Sequence, residues 1–111
     1  MSAEIITIVS GQTLYKKGDN PRSCFILQKG SVHLLNEKGE KVAGVGPNMI
    51  FGEIEIFANL NYRSTAAICV TSGSAVSVPA EILDNKLKNI SKYEALLIKE
   101  FAKNSINRIS N

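Results

Sequence analysis

The chain has 111 residues, 44% of them hydrophobic and 21% charged, with a formal net charge of +3 from 13 basic and 10 acidic side chains. That is room for one domain with one real core, and it is too apolar for a disordered chain. Two cysteines and one histidine are too few for a disulfide scaffold or a protein-built zinc site, and they leave a histidine-based hydrolase a single candidate base.

No apolar run approaches the roughly 18 residues a membrane span requires. Met1-Ser2-Ala3-Glu4 lacks the basic start and long apolar stretch of a secretory leader, so a cytoplasmic location is expected. The basic residues are scattered, and the densest stretch, Lys86 to Arg108, reads as a solvated helix face and not as a nucleic-acid footprint.

In chain order, Ile5-Ile6-Thr7-Ile8-Val9 is a β-branched strand closed by Ser10-Gly11. Thr13-Leu14-Tyr15 follows and ends at Lys16-Lys17-Gly18-Asp19-Asn20-Pro21, a cluster of turn formers. Cys24-Phe25-Ile26-Leu27-Gln28 is apolar enough to be buried on both faces, with Lys29-Gly30 as its end. Ser31 to Leu35 is the next strand, and Asn36-Glu37-Lys38-Gly39 connects it as a hairpin to Glu40-Lys41-Val42-Ala43. Gly44, Gly46 and Pro47 break that pattern. Two more strands, Ser64 to Val70 and Ala75 to Val78, flank Ser72-Gly73. Short strands with turns at regular spacing predict an antiparallel barrel or sandwich. Cys24 and Cys69 both fall in apolar strands and read as buried free thiols; His33, in mid-strand, reads as a surface or core histidine.

At Pro79 the period becomes helical. Proline suits the first position of a helix, and Ile82, Leu83, Leu87 and Ile90 recur at helical spacing. Ser91-Lys92-Tyr93-Glu94 is a capping box, so a second helix starts near Lys92 and runs to about Arg108. It carries two apolar rows, Tyr93-Leu97-Phe101 and Ala95-Ile98-Ala102-Ile106-Ile109. One row suffices to dock a helix. Either both form one wide stripe over the sheet, or the aromatic row docks and the aliphatic row is left for a homodimer partner.

The segment Phe51 to Ser64 carries the chemistry. Gly52 and the carboxylates of Glu53 and Glu55 interrupt any strand, and a short helix opening at Gly52 fits better. Free amides at such an opening favour an anion. Eleven residues after Gly52, Arg63-Ser64 supplies a fork-shaped cation and a hydroxyl, a natural pair for a phosphate. Glu53 is placed to accept a hydrogen bond from a sugar hydroxyl. Together these residues outline a nucleotide cradle.

Gly52-Glu53-Ile54-Glu55-Ile56-Phe57 followed by Arg63-Ser64 resembles the phosphate-binding cassette of cyclic nucleotide-binding domains, with the spacing of the catabolite activator protein branch. Gly18-Asp19, the Lys29-Gly30-Ser31-Val32 hairpin, the approach from Gly46 to Glu53, and the helices from Pro79 to Asn111 are similar to the same family; Asn48 stands where a glycine is usual. The resemblance implies a fold that is mainly β with C-terminal α. An antiparallel β-roll of the jelly-roll type, eight-stranded in class, would span about 5–78, followed by two helices over about 79–109 in one domain of residues 1–111. It also implies a ligand-binding set: Gly52 for close approach, Glu53 on the ribose 2′-hydroxyl, Arg63 on the exocyclic phosphate oxygens, Ser64 adding phosphate contacts, and Ile54 within the cassette.

Glu55 departs from the family, which usually places glycine or alanine there. A carboxylate about 5 Å from a phosphate costs on the order of 3 kcal/mol at an effective dielectric of 20, and under 1 in water. Facing the phosphate, Glu55 excludes the ligand; turned into solvent, it costs little. Tyr62 reads either as a ring over the pocket mouth or as a packing residue.

The resemblance implies a binding protein and not a catalyst. It would be a sensor of a cyclic nucleotide (cAMP or cGMP), needing no cofactor or metal and signalling through its C-terminal helices. The alternative is a degenerate cassette in a domain that serves as an interaction or scaffold module. Regulators of transcription in the family add a DNA-reading helix-turn-helix after the second helix. This chain ends at Asn111, so no direct DNA binding and a separate effector protein are expected.

Overall fold

A computed structural model describes residues 2–109, with side chains through Ile106. The elements are strands β1 (Glu4–Ile8), β2 (Thr13–Tyr15), β3 (Ser23–Leu35), β4 (Lys41–Val45), β5 (Ile50–Phe51) and β6 (Ala66–Pro79), with helix α1 (Ile54–Phe57) between the last two and helices α2 (Ala80–Lys88) and α3 (Lys92–Ile109) at the end. All pairings are antiparallel: the sheet runs β1-β6-β3-β4, with β2 also on β6 and β5 also on β3. The mainly-β roll followed by two helices is the expected fold, but the described residues form six strands and not eight.

Two long strands replace four short ones. The turns expected at Lys29-Gly30 and Ser72-Gly73 are bends inside β3 and β6, where the register between the two strands slips between Leu27 and Val32. Gly30 has φ +96, and a Cβ on it would run into the Thr71 and Ser72 backbone; a Cβ on Gly73 would strike the Lys29 carbonyl. The two backbones approach so closely at the bend that only glycines fit, and the sheet curls there without breaking. β4 likewise continues through Gly44 to Val45, beyond the end that its glycine suggested. The Asn36–Gly39 connection is held by Asn36 Oδ1, which accepts from the amides of Lys38 and Glu40, each at 3.0 Å.

The core inside the curl is Ile8, Tyr15, Leu27, Val32, Val45, Phe51, Ala67, Cys69 and Ala75. Tyr15, Phe25 and Phe51 stack in series, with centroids 6.3 and 5.1 Å apart. Cys24 and Cys69 are buried free thiols, as expected, and burial pushes both above the usual thiol range. Cys24 pairs with Val78 and Cys69 with Val32, far apart along the β3–β6 ladder. His33 is half-buried in β3, opposite Gly44 and Ile68.

Helix α3 docks neither by both rows in one wide stripe nor by the aromatic row. Leu97 and Phe101 are 71% and 70% exposed, whereas Ala102 and Ile106 are buried against Ala58, with Ile54, Phe57 and Leu60 packed around them. Alanine is the reason: Ala58 and Ala102 let the two helix backbones come together, and an aromatic row would hold them apart. The aliphatic row therefore faces the body of the protein and the aromatic row faces water; the side chain of Ile109 lies outside the described residues. At the head of α3 the Glu94 amide donates to Ser91 Oγ at 3.1 Å, as the capping box predicts.

Candidate functional site

Three elements converge on the cassette. Asn48 takes φ +70, the left-handed conformation for which asparagine is the best substitute for glycine, and its amide bonds the Leu27 carbonyl at 2.7 Å. This turns the chain into β5, which pairs with Phe25 and Ile26. Gly52 follows at φ +80, and α1 opens after Glu53, two residues later than expected. The helix is a single turn closed by a Schellman motif: Asn59, at φ +58, donates to Ile56 at 3.0 Å and Leu60 donates to Glu55 at 2.9 Å.

Arg63 is held from the other side. Its amide donates to the Asp19 carbonyl at 2.7 Å and its carbonyl accepts from the Gly18 amide at 2.8 Å. The Gly18-Asp19 turn, itself closed by a bond from the Lys16 amide to Asp19 Oδ2 at 2.9 Å, thus fixes the backbone from which the guanidinium extends. Arg63 is 2% exposed. The Nη1 of its guanidinium donates to the Gly52 carbonyl at 2.5 Å and to Glu55 Oε1 at 3.1 Å, and Nη2 donates to the Ser23 carbonyl. Its carbon lies 4.0 Å over the Tyr15 ring centroid. A Cβ at Gly52 would stand 3.0 Å from Nη1, so here the glycine makes way for Arg63.

Glu55 is not turned into solvent; it points inward, onto the donors expected for the phosphate. It is 5% exposed, and its carboxylate is divided between two donors, Arg63 Nη1 on Oε1 and Ser64 Oγ on Oε2 at 2.6 Å. The cation and the hydroxyl expected to hold a phosphate are joined through an internal carboxylate.

A cavity of about 160 Å³ lies against this cluster, with Glu53, Glu55, Ser64 and Thr65 as its polar walls and Tyr15, Leu34, Val45, Met49, Ile50, Phe51, Gly52 and Ile54 among the rest. Most small-molecule pockets measure roughly 300–1,000 Å³, so this one is narrow. Arg63 does not line it; the guanidinium stands behind Glu55 and borders a second cavity of about 180 Å³ with Tyr15, Asp19 and Ser23. Glu53 Oε2 is buried without a hydrogen-bond partner, as is Arg63 Nε. Burial holds the Glu53 carboxyl above its usual range, and the nearby Glu55 carboxylate adds to this against Arg63.

Gly52, Glu53, Ile54, Glu55 and Ser64 are thus brought to one cavity, with Arg63 directly behind it. Tyr62 is not among the residues lining this cavity, so it is not a ring at its mouth; it is 46% exposed. Tyr15 and Ser23 were not legible as site residues. Their parts depend on the pairing of β2 and β3 with distant strands, and the one local sign was an aromatic ending a strand beside a dense turn. Among the described residues no three of His, Cys, Asp and Glu gather as a metal site, and no helix is long and apolar enough to cross a membrane.

Against known proteins, residues 5–89 match the family model of the cyclic nucleotide-binding domain. No curated protein matches the chain significantly. Among solved structures, the fold is similar to the EAL enzyme Bd1971 in its cAMP-bound form, with TM-score 0.85 and 21% identity over 95% of this chain. The chain spans 29% of the length of that one. It is similar also to the regulatory domain of Toxoplasma gondii PKA with cAMP (TM-score 0.70, 22% identity, 76% of this chain and 33% of that). A third is the c-di-GMP-responsive global regulator CLP of Xanthomonas campestris (TM-score 0.70, 12% identity, 95% of this chain and 54% of that).

Proposed function

The chain belongs to the cyclic nucleotide-binding domain family, and from that membership we propose that it is a non-catalytic regulatory module that senses a cyclic nucleotide, cAMP or cGMP, in the cavity walled by Glu53, Glu55 and Ser64. The roll of residues 5–78 and the helices of 79–109 act as one domain. The observation that supports this best is the buried, unpartnered oxygen of Glu53 on a cavity wall shared with Ser64, with Arg63 one hydrogen bond behind. A ribose hydroxyl satisfies the first group and a phosphate suits the other two. Calorimetric titration with cAMP and cGMP tests the reading; binding of either ligand that weakens in Arg63→Ala is expected, and no heat at millimolar ligand with both the wild-type protein and Glu55→Ala overturns it.

The signal travels through α1 to α3. Glu53 and Ile54 wall the ligand cavity on one side, and with Phe57, Leu97, Ile98 and Phe101 they border an apolar groove against α3 on the other. A shift of α1 therefore moves the surface on which α3 rests. The exposed row Tyr93-Leu97-Phe101 serves as the contact for a second copy of the chain, and a separate effector protein reads the result.

A second reading, in which the domain works as an interaction module without a nucleotide, is favoured by one observation: Glu55 already occupies both Arg63 and Ser64.

A further inference from the structure

The carboxylate of Glu55 makes the contacts that an anionic ligand group would make. One oxygen takes Arg63 Nη1 and the other takes Ser64 Oγ. Two oxygens of a phosphate ask for the same pair of donors. From the cavity, an incoming ligand meets Glu55 and not Arg63, because only the carboxylate stands on the wall. Resting on the reading of this cavity as a nucleotide site, we propose that Glu55 is an internal competitor for the ligand's phosphate, so that binding is an exchange of one anion for another and Glu55 sets how strongly the site distinguishes a nucleotide from the corresponding nucleoside.

Exchange needs donors that stay in place when the carboxylate leaves, and Arg63 meets that condition. The Gly52 and Ser23 carbonyls hold its two terminal nitrogens, and the Tyr15 ring holds its face. None of these depends on Glu55. Ser64 keeps its position through the neighbouring backbone of Arg63, which is tied to Gly18 and Asp19. The donor pair is therefore preorganised, and the only group that must move is the side chain that occupies it. A nucleoside carries hydroxyls for Glu53 but no anion, and it enters with Glu55 still in place. A cyclic nucleotide has to displace a buried, doubly bonded carboxylate first.

The test compares cAMP with adenosine by calorimetry on the wild-type chain, Glu55→Gln and Glu55→Ala. Glu55→Gln keeps the shape and an acceptor while removing the charge, and it covers the case in which Glu55→Ala does not fold. Wild-type protein is expected to bind the two ligands within about tenfold of each other. The cAMP-to-adenosine affinity ratio is expected to rise about ten- to a hundredfold in the variants, the size of removing one like charge at close range in a partly screened site. Apo melting temperature is expected to fall in the same variants while cAMP affinity rises, a combination that a purely structural carboxylate does not give. cAMP binding to the wild-type protein with an unchanged ratio in both variants overturns the exchange but leaves the nucleotide reading standing. No cAMP binding by any of the three proteins overturns the nucleotide reading itself.

Discussion

The guanidinium of Arg63 caps the ring of Tyr15 at 4.0 Å, and Tyr15 begins a stack that continues through Phe25 to Phe51 in the middle of the core. The position of the charge is thereby tied to the packing of the roll. A desolvated cation–π contact contributes about 2 kcal/mol. Tyr15→Leu is expected to lose at least about that much stability in urea denaturation, and Tyr15→Phe, which keeps the ring, much less.

The Arg63–Glu55 pair is buried on both sides. Removing one partner of such a pair costs about 3–5 kcal/mol, because it strands the other charge. Arg63→Ala and Glu55→Ala should each fall in that range, and the double variant should be no worse than either alone. A double-mutant cycle in denaturant that shows simple additivity would mean that the pair contributes no coupling.

If the cavity takes a nucleotide, Arg63 should dominate the affinity. Loss of a charge-assisted hydrogen bond is worth about 1.5–3 kcal/mol, so Arg63→Ala weakens cAMP binding roughly ten- to a hundredfold or more. Arg63→Lys, which keeps the charge but not the guanidinium that the Gly52 and Ser23 carbonyls hold in place, falls between. Equal affinities in the three proteins would place the phosphate elsewhere.

Burial raises the Glu53 carboxyl above its value in the unfolded chain. The folded state then binds the proton more tightly, and the slope of stability with pH is negative across the interval between the two values. The contribution of Glu53 is full below the unfolded carboxylate range and is lost as pH rises through the folded value. Glu53→Gln should remove this slope and be the more stable protein at neutral pH. Chemical denaturation at intervals from pH 4 to 7 measures it; parallel curves for the two proteins would contradict the assignment.

The exposed row on α3 predicts self-association. Leu97→Glu with Phe101→Glu should convert a dimer at tens of micromolar into a folded monomer in sedimentation. Ile106→Glu, in the buried row, should instead loosen α3 from α1 and lower the melting temperature. A wild-type protein that sediments as a monomer at that concentration removes the dimer.

Much of this site was legible because its parts are close in sequence. Gly52, Glu53, Arg63 and Ser64 are read from spacing, and Asn48 as the residue standing where the family usually has a glycine. What escaped was supplied by distance along the chain. Tyr15 reaches Arg63 through the pairing of β2 with Ala67, and Ser23 through the far end of β3. The glycines at 30 and 73 carry the same local signal whether a strand ends or bends; only the facing strand decides. The α3 rows were both apolar, and the choice between them turned on side-chain volume opposite Ala58, a residue of another element. Glu55 posed a question of orientation, and its answer depended on two neighbours competing for one carboxylate.

The ladder between β3 and β6 closes at one end with Leu35 on Ala66 and at the other with Ser23 on Pro79. Apart from Tyr15 and Leu34, every residue lining the cavity beside Glu55 belongs to the stretch between Leu35 and Ala66. Closing a loop costs more the longer it is, so the Leu35–Ala66 end should pair first during refolding and the ladder should then zip toward Ser23 and Pro79. Pairings this distant put the refolding time in the millisecond-to-second range typical of β-rich domains. Tyr15 arrives only when β2 lays itself on β6, and Arg63 acquires the ring beneath its guanidinium at that step. The cassette is looped off early and its cation is seated late, so a cyclic nucleotide added during refolding should leave the folding rate unchanged and slow only unfolding.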